Sequence, residues 1–191
     1  ESDLAVIKVE ASDLPATGGV CGVGNQIGSQ ITNTGPATSN LGTGLQLCEV
    51  AFDADTEFYQ RNGSSVQATI DDIERIMNRV DTIYVRDVDV TIQLTAIVVR
   101  ASSPDPYTTN DAGQLLDQFR NEWNQNFSGV RRDLTHLFTG RNVNGGTIGI
   151  AYLGVVCSQT VGYGLSESRF TNNLVNRTGL TAHEMGHNFN S

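Results

Sequence analysis

A chain of 191 residues is long enough for one domain with a proper core plus an appendage. Its net charge of −9 lacks the lysine and arginine surplus that phosphate neutralisation needs, so nucleic acid is excluded as an expected partner. No apolar run approaches membrane-spanning length and no charged-then-apolar leader opens the chain, so no membrane segment is expected within it, and ESDLAVIKVE reads as the start of a processed or trimmed chain.

From Asp13 to about Leu45 the chain is rich in Gly, Ser, Thr, Asn and Ala, with few large apolar residues, and reads as an extended or loosely ordered segment. The texture changes at Cys48. CEVAFDADTEFY predicts a strand leading into the domain. Ser64 or Ser65 then caps a helix on which Val66, Ile70, Ile73, Met77, Val80 and Ile83 recur at three- and four-residue intervals. In DVDVTIQLTA, Val88, Val90, Ile92 and Leu94 alternate with polar residues, which predicts a strand with one face in the core.

A proline-containing loop, ASSPDPYTTND, precedes a second amphipathic helix carrying Leu115, Leu116, Phe119, Trp123 and Phe127 as core residues. Two short strands are predicted next, Leu134 to Phe138 and Thr147 to Leu153, with a Gly-Gly turn between them. The last helix is expected to begin near Thr178. Strand, helix, strand, helix, strands, helix is the order of an α/β (α+β) domain, and the sequence shows no internal repeat.

That last helix carries TAHEMGHNFNS. His183 and His187 lie one helical turn apart, so their imidazoles project from one face and can hold one zinc ion between them. Glu184 beside them can take a proton from water that the metal has acidified, which is the outline of peptide-bond hydrolysis. The chain has only three histidines. The third, His136, has nothing near it in sequence to complete a site and reads as structural. The cysteines Cys21, Cys48 and Cys157 form no CxxC pair, which argues against a zinc ribbon, and their odd number leaves at least one outside any disulfide within the chain. Sequons at Asn62, Asn126 and Asn176 permit glycosylation in a host that glycosylates.

HEMGHNFNS resembles the active-site helix of the metzincins, whose longer pattern is H-E-x-x-H-x-x-G-x-x-H, and Asn-Phe after the second histidine is typical of the reprolysin or ADAM group. CEVAFDADTEFY resembles that catalytic domain's first strand, LLDQFRNEW its second helix, and GGTIGIAYLGVVCS its edge strand and following loop, in the family's order. The resemblance covers about Cys48 to Ser191. It implies residues 48–191 as the upper subdomain of a metalloprotease catalytic domain, with a mixed, twisted, mostly parallel sheet, two long helices and the active-site helix. Residues 1–47 would then be a propeptide remnant.

Two departures from the pattern stand out. Asn190 occupies the glycine position at which the chain turns left-handed off the helix, and asparagine tolerates positive φ best after glycine. By the pattern, a third histidine ligand falls at the second position after Ser191, and the lower subdomain follows it.

GGVCGVGN resembles the cysteine-switch segment of reprolysin propeptides, which implies that Cys21 is a zinc ligand in a latent form and that the propeptide is a partner. With Cys21 as a thiol, Cys48 and Cys157 can pair in an oxidising compartment. Pairing of Cys21 with Cys48, or of Cys157 with a cysteine beyond Ser191, are the other arrangements left open. The resemblance further implies a secreted endopeptidase acting on protein or peptide substrates laid along an edge strand at Thr147, Gly149, Ile150 and Ala151, with Phe170 to Thr181 bordering the specificity pocket. Glu49 and Asp117 match positions that help bind calcium in several family members. A non-catalytic binding module on the same scaffold, or a gluzincin with a glutamate as third ligand, are the alternatives to a metzincin peptidase.

Overall fold

The computed structural model describes the backbone of residues 4–8 and, in full, residues 44–191. Six strands form one sheet. They are β1 (Leu4–Lys8), β2 (Gln46–Ala54), β3 (Val90–Arg100), β4 (Leu134–Thr139), β5 (Gly149–Ala151) and β6 (Tyr163–Glu167), ordered β1-β3-β2-β4-β6-β5 across the sheet. The inner pairings are parallel, whereas β1 on β3 and β5 on β6 are antiparallel. The expected mixed, mostly parallel sheet is therefore present, with an antiparallel strand at each edge.

Alternate residues of β2 feed two cores. Cys48, Val50, Phe52 and Ala54 join Ile70, Ile73, Ile76, Met77 and Val80 of helix α2 (Val66–Val88) on one face. On the other face Ala51 joins Leu115, Leu116, Phe119 and Trp123 of helix α3 (Ala112–Asn126). Both helices follow the predicted apolar spacing, and both start on a side-chain cap. Ser65 accepts from Ala68 N at 3.2 Å, and Asp111 accepts from Gln114 N at 2.9 Å.

The elements differ from expectation in several places. TEFY is not strand but the start of helix α1 (Thr56–Arg61), because Asp55 ends β2 by capping Phe58 N at 2.7 Å and is itself held by Gly140 N at 2.9 Å and the Thr139 hydroxyl. Val88 is the last residue of α2 rather than the first of a strand, since Asp89 turns left-handed at φ 55° and closes the helix. Two strands were not anticipated. Tyr163–Glu167 (β6) is short, buried throughout and contains a glycine, so it shows no alternation. Leu4–Lys8 (β1) lies in the segment read as a trimmed start.

Asp53 joins the sheet to α3. Its buried carboxylate accepts from Arg100 Nη2 at 2.7 Å, Tyr107 Oη at 2.8 Å and Trp123 Nε1 at 2.8 Å, and Arg100 is also paired with Glu122 at 3.0 Å. Removing the carboxylate leaves a buried guanidinium and two buried donors without their acceptor. Asp53→Ala is expected to cost about 3–5 kcal/mol of unfolding free energy, read as a fall in the denaturant midpoint. Asp53→Asn, which keeps an acceptor oxygen, should cost less.

Candidate active site

Helix α4 (Leu174–Asn188) carries both site histidines and starts one turn earlier than expected, because Asn173 caps Val175 N at 2.9 Å. Its sheet-facing side is Thr178, Thr181, Met185 and Asn188, all buried, at helical spacing. The amino-terminal half is fixed by Arg177, whose buried guanidinium grips Asp72 of α2 in a two-pronged pair at 3.0 and 2.5 Å. Further along, the Tyr84 hydroxyl of α2 donates to the carbonyl of Ala182 at 2.9 Å.

His183 is exposed and His187 half-buried, with ring centroids 4.5 Å apart and planes at 76°. The pair therefore stands together at the surface of α4. His187 Nδ1 lies 3.0 Å from the Ser191 carbonyl oxygen. With the proton on Nδ1 and donated to that carbonyl, Nε2 keeps its lone pair for a metal, the arrangement that orients ligating histidines. A soft-to-borderline dication such as zinc fits this donor pair.

Glu184 is buried beneath the edge strand. A Cβ added to Gly149 of β5 would come within 2.6 Å of Glu184 Cγ and Cδ. The glycine is thus the condition for the carboxylate to sit there. Burial pushes the Glu184 carboxyl up to about 7, against the opposing pull of His187.

Asn188 ties α4 to that edge. Its side-chain amide donates to the carbonyls of Tyr152 at 2.8 Å and Tyr163 at 3.1 Å, while its own carbonyl accepts from Val155 N at 2.8 Å and Val156 N at 3.0 Å. No sequence reading singled it out. The available signal was a poor helix former placed mid-motif, where a side-chain hydrogen bond is the usual reason. Beyond it the chain turns as expected. Asn190 has φ 72°, with Asn190 N on His187 O at 3.0 Å and Ser191 N on Gly186 O at 3.2 Å, which is a Schellman ending with asparagine in the glycine's place.

The substrate-edge residues are only partly strand. Gly149, Ile150 and Ala151 form β5, whereas Thr147 precedes it, after a turn in which Gly145 and Gly146 both take φ 75°. Glu167 secures that approach through Val143 N at 2.9 Å. Of the segment expected to border the pocket, Gly179 alone lines the groove of about 330 Å³ between α2 and α4, alongside Ile83, Tyr84, Ala182, His183 and Phe189.

Other expected residues lie elsewhere. His136 is buried in β4, bonded through Nε2 to Ser166 Oγ at 2.9 Å, and burial pushes it down to about 3, as befits a structural histidine. Glu49 pairs with Arg131 at 2.7 Å, and Asp117 with the Tyr152 hydroxyl at 2.6 Å and Arg120 at 3.3 Å, so the two calcium candidates are engaged by different partners. Among the described residues no three His, Cys, Asp or Glu side chains gather around one metal position. Cys48 is a buried free thiol and Cys157 is disulfide-bonded. This corrects both pairings that involved Cys48, whose side chain points into the apolar core with α2. Cys21 lies outside the described residues. Asn62 is buried and bonded to the Phe58 carbonyl at 3.1 Å, while Asn126 and Asn176 are exposed.

A family model described as metallo-peptidase family M12, of reprolysin type, matches residues 44–191. The chain belongs to this family. It is 30 % identical over 145 residues to disintegrin and metalloproteinase domain-containing protein 19 of Mus musculus, covering 76 % of this chain and 16 % of the mouse protein. It is 28 % identical over 143 residues to the zinc metalloproteinase-disintegrin-like brevilysins H2a and H2b of Gloydius brevicauda, covering 73 % of this chain and 33 % of each venom protein. The chain thus spans a third or less of the length of these relatives. The M12 match accounts for the collinear strands, helices and histidine helix together.

Because a β-carbon on Gly149 would overlap Glu184, Gly149→Ala is expected to push the carboxyl out from under β5 and return its titration toward the ordinary carboxylate range, read by a pH titration of the Glu184 side chain. Metal binding, measured by elemental analysis, should be unchanged in the same variant.

Proposed function

We propose that this chain is the part of a secreted zinc-dependent endopeptidase that carries two of the metal ligands, His183 and His187, and the general base, Glu184. The observation that carries the reading is the burial of the Glu184 carboxylate under Gly149, one residue from an exposed histidine and directly behind an edge strand. A carboxylate held there serves a peptide lying along β5. Membership of M12 supports zinc as the metal and peptide bonds as the target. The disulfide at Cys157 supports an oxidising, extracellular setting.

In this reading an extended substrate adds to the outer edge of β5, which has no strand partner among the described residues, and its backbone pairs with Gly149, Ile150 and Ala151. Zinc, when bound, supplies a Lewis acid that acidifies water and polarises the scissile carbonyl. Glu184 takes the proton as the water attacks and returns it to the leaving amine. His187, steadied by the Ser191 carbonyl, presents Nε2, and Asn188 holds the helix at its distance from the substrate edge.

The decisive comparison is Glu184→Gln, in a protein that includes the third histidine of the pattern. Zinc content should stay at one per chain while hydrolysis of an unfolded protein substrate falls by about 10²–10⁴. Unchanged hydrolysis would sink the reading, as would zinc that survives both His183→Ala and His187→Ala. Glu184 must be ionised to accept a proton, so activity rises with pH through its titration. In the zinc-loaded enzyme that limb falls below about 7, since a nearby dication favours the carboxylate.

Latency through Cys21 forms a separate part of the proposal, supported by the CGV resemblance, and it requires that the Cys157 disulfide be made with a cysteine other than Cys21, since Cys48 is a free thiol. A Cys21 thiolate on zinc should resist alkylation until a chelator removes the metal, and then react. Resistance that persists after chelation would mean that Cys21 is oxidised or buried, and latency would need another cause.

A further inference from the structure

The edge of the sheet opposite β5 holds an unexpected strand. Leu4–Lys8 pairs antiparallel with Ala96–Arg100 of β3, in the register Leu4 with Arg100 through Lys8 with Ala96. The family match begins at Gly44, so β1 lies outside it.

Burial along β3 changes where β1 begins to cover it. Gln93, Leu94 and Thr95 are half-buried, whereas each of Ala96, Ile97, Val98, Val99 and Arg100 is buried. Ile97 and Val99 enter the core with α2, and Ala96 and Val98 the core with α3. The change falls at the register shift between Val50 and Ala51 of β2, which leaves Thr95 as the extra residue of β3. An edge strand buried on both faces and carrying Ala-Ile-Val-Val has no proline or lysine in that run, and its bulge at Thr95 and its buried charge at Arg100 lie at the two ends of it rather than within it. Such an edge is built to receive another strand. Leu-Ala-Val-Ile, four apolar residues in succession, is the sequence of a strand that fits beside one covered on both faces.

We infer that β1 is a separable strand subunit: the outer edge of β3 is a β-augmentation site for Leu4–Lys8, and this strand stays on the domain when the chain between Lys8 and Gly44 is cut. The inference rests on the proposed reading only in taking residues 1–47 as a pro-segment. Because β1 and β5 are opposite edges of the sheet, the retained strand does not obstruct the substrate edge. The strand β1 therefore lies clear of the substrate edge whether or not the chain after Lys8 is cut.

The test places a recognition sequence for a specific protease between Lys8 and Cys21, so that no disulfide through Cys21 can hold the fragment. After cutting, the amino-terminal peptide should co-elute with the domain in gel filtration, and amides of Ala96–Arg100 should stay slow in hydrogen exchange. Alternate N–H groups of an edge strand face its neighbour, so one of the adjacent substitutions Ala5→Pro and Val6→Pro removes a ladder hydrogen bond. That variant should release the peptide on cutting and speed exchange at Ala96–Arg100 by at least about tenfold. Loss of the peptide from the parent sequence on cutting overturns the inference, and so does equal retention in both proline variants. Neither readout uses peptidase activity, so failure of the peptidase proposal and failure of this one are separable.

Discussion

The arrangement depends on the two hydrogen bonds that the Asn188 amide donates to the carbonyls of Tyr152 and Tyr163. They fix the carboxyl-terminal end of the histidine helix against the edge of the sheet. The close approach needs space, which two glycines provide. A β-carbon on Gly164 would meet Ala151 Cβ at 3.0 Å and His136 Nδ1 at 3.3 Å, and one on Gly149 would overlap Glu184. A helix docked this tightly needs an equally definite ending, and the left-handed Asn190 supplies it by turning the chain just past His187.

The other end of α4 is held by different chemistry. Arg177 and Asp72 form a buried pair that stabilises little on balance, because desolvation offsets most of its Coulombic gain. Its value lies in direction. The planar guanidinium accepts only one orientation toward the carboxylate and Ser168, so the helix cannot slide along α2 without breaking four hydrogen bonds. With one end set by an ion pair and the other by an amide, His183 and His187 inherit a fixed position from buried residues on the same helix.

Much of this was legible in the sequence. Helical spacing on α2 and α3, the Ser65 cap, the histidine pair and the left-handed turn at Asn190 are local properties, written within a few residues of where they act. What was not legible depends on partners distant in the chain. Asp55 reads as part of a strand until Thr139 and Gly140 are found beside it. Strand β6 hides because burial on both faces removes alternation, and Gly149 gains its meaning only when Glu184 is seen beneath it. The cysteines follow the same rule, for a count of cysteines allows Cys48 a disulfide, whereas its place in the β2 face buries it as a free thiol against α2.

The two edges of the sheet use opposite solutions to one problem. A strand edge presents unpaired N–H and C=O groups that attract any extended peptide. At β3 the edge is long, apolar and already occupied by the chain's own residues, so its attraction is spent on stability. At β5 the strand is three residues long, half-buried and opened by a glycine, too short to recruit a permanent partner but, on the proposed function, sufficient to align a passing one. A sheet with both edges sealed could not align a peptide in this way, and one with both edges open would invite association through β3. On the proposed function, the asymmetry between β3 and β5 is what allows a single sheet to be both a stable core and a template for an extended peptide.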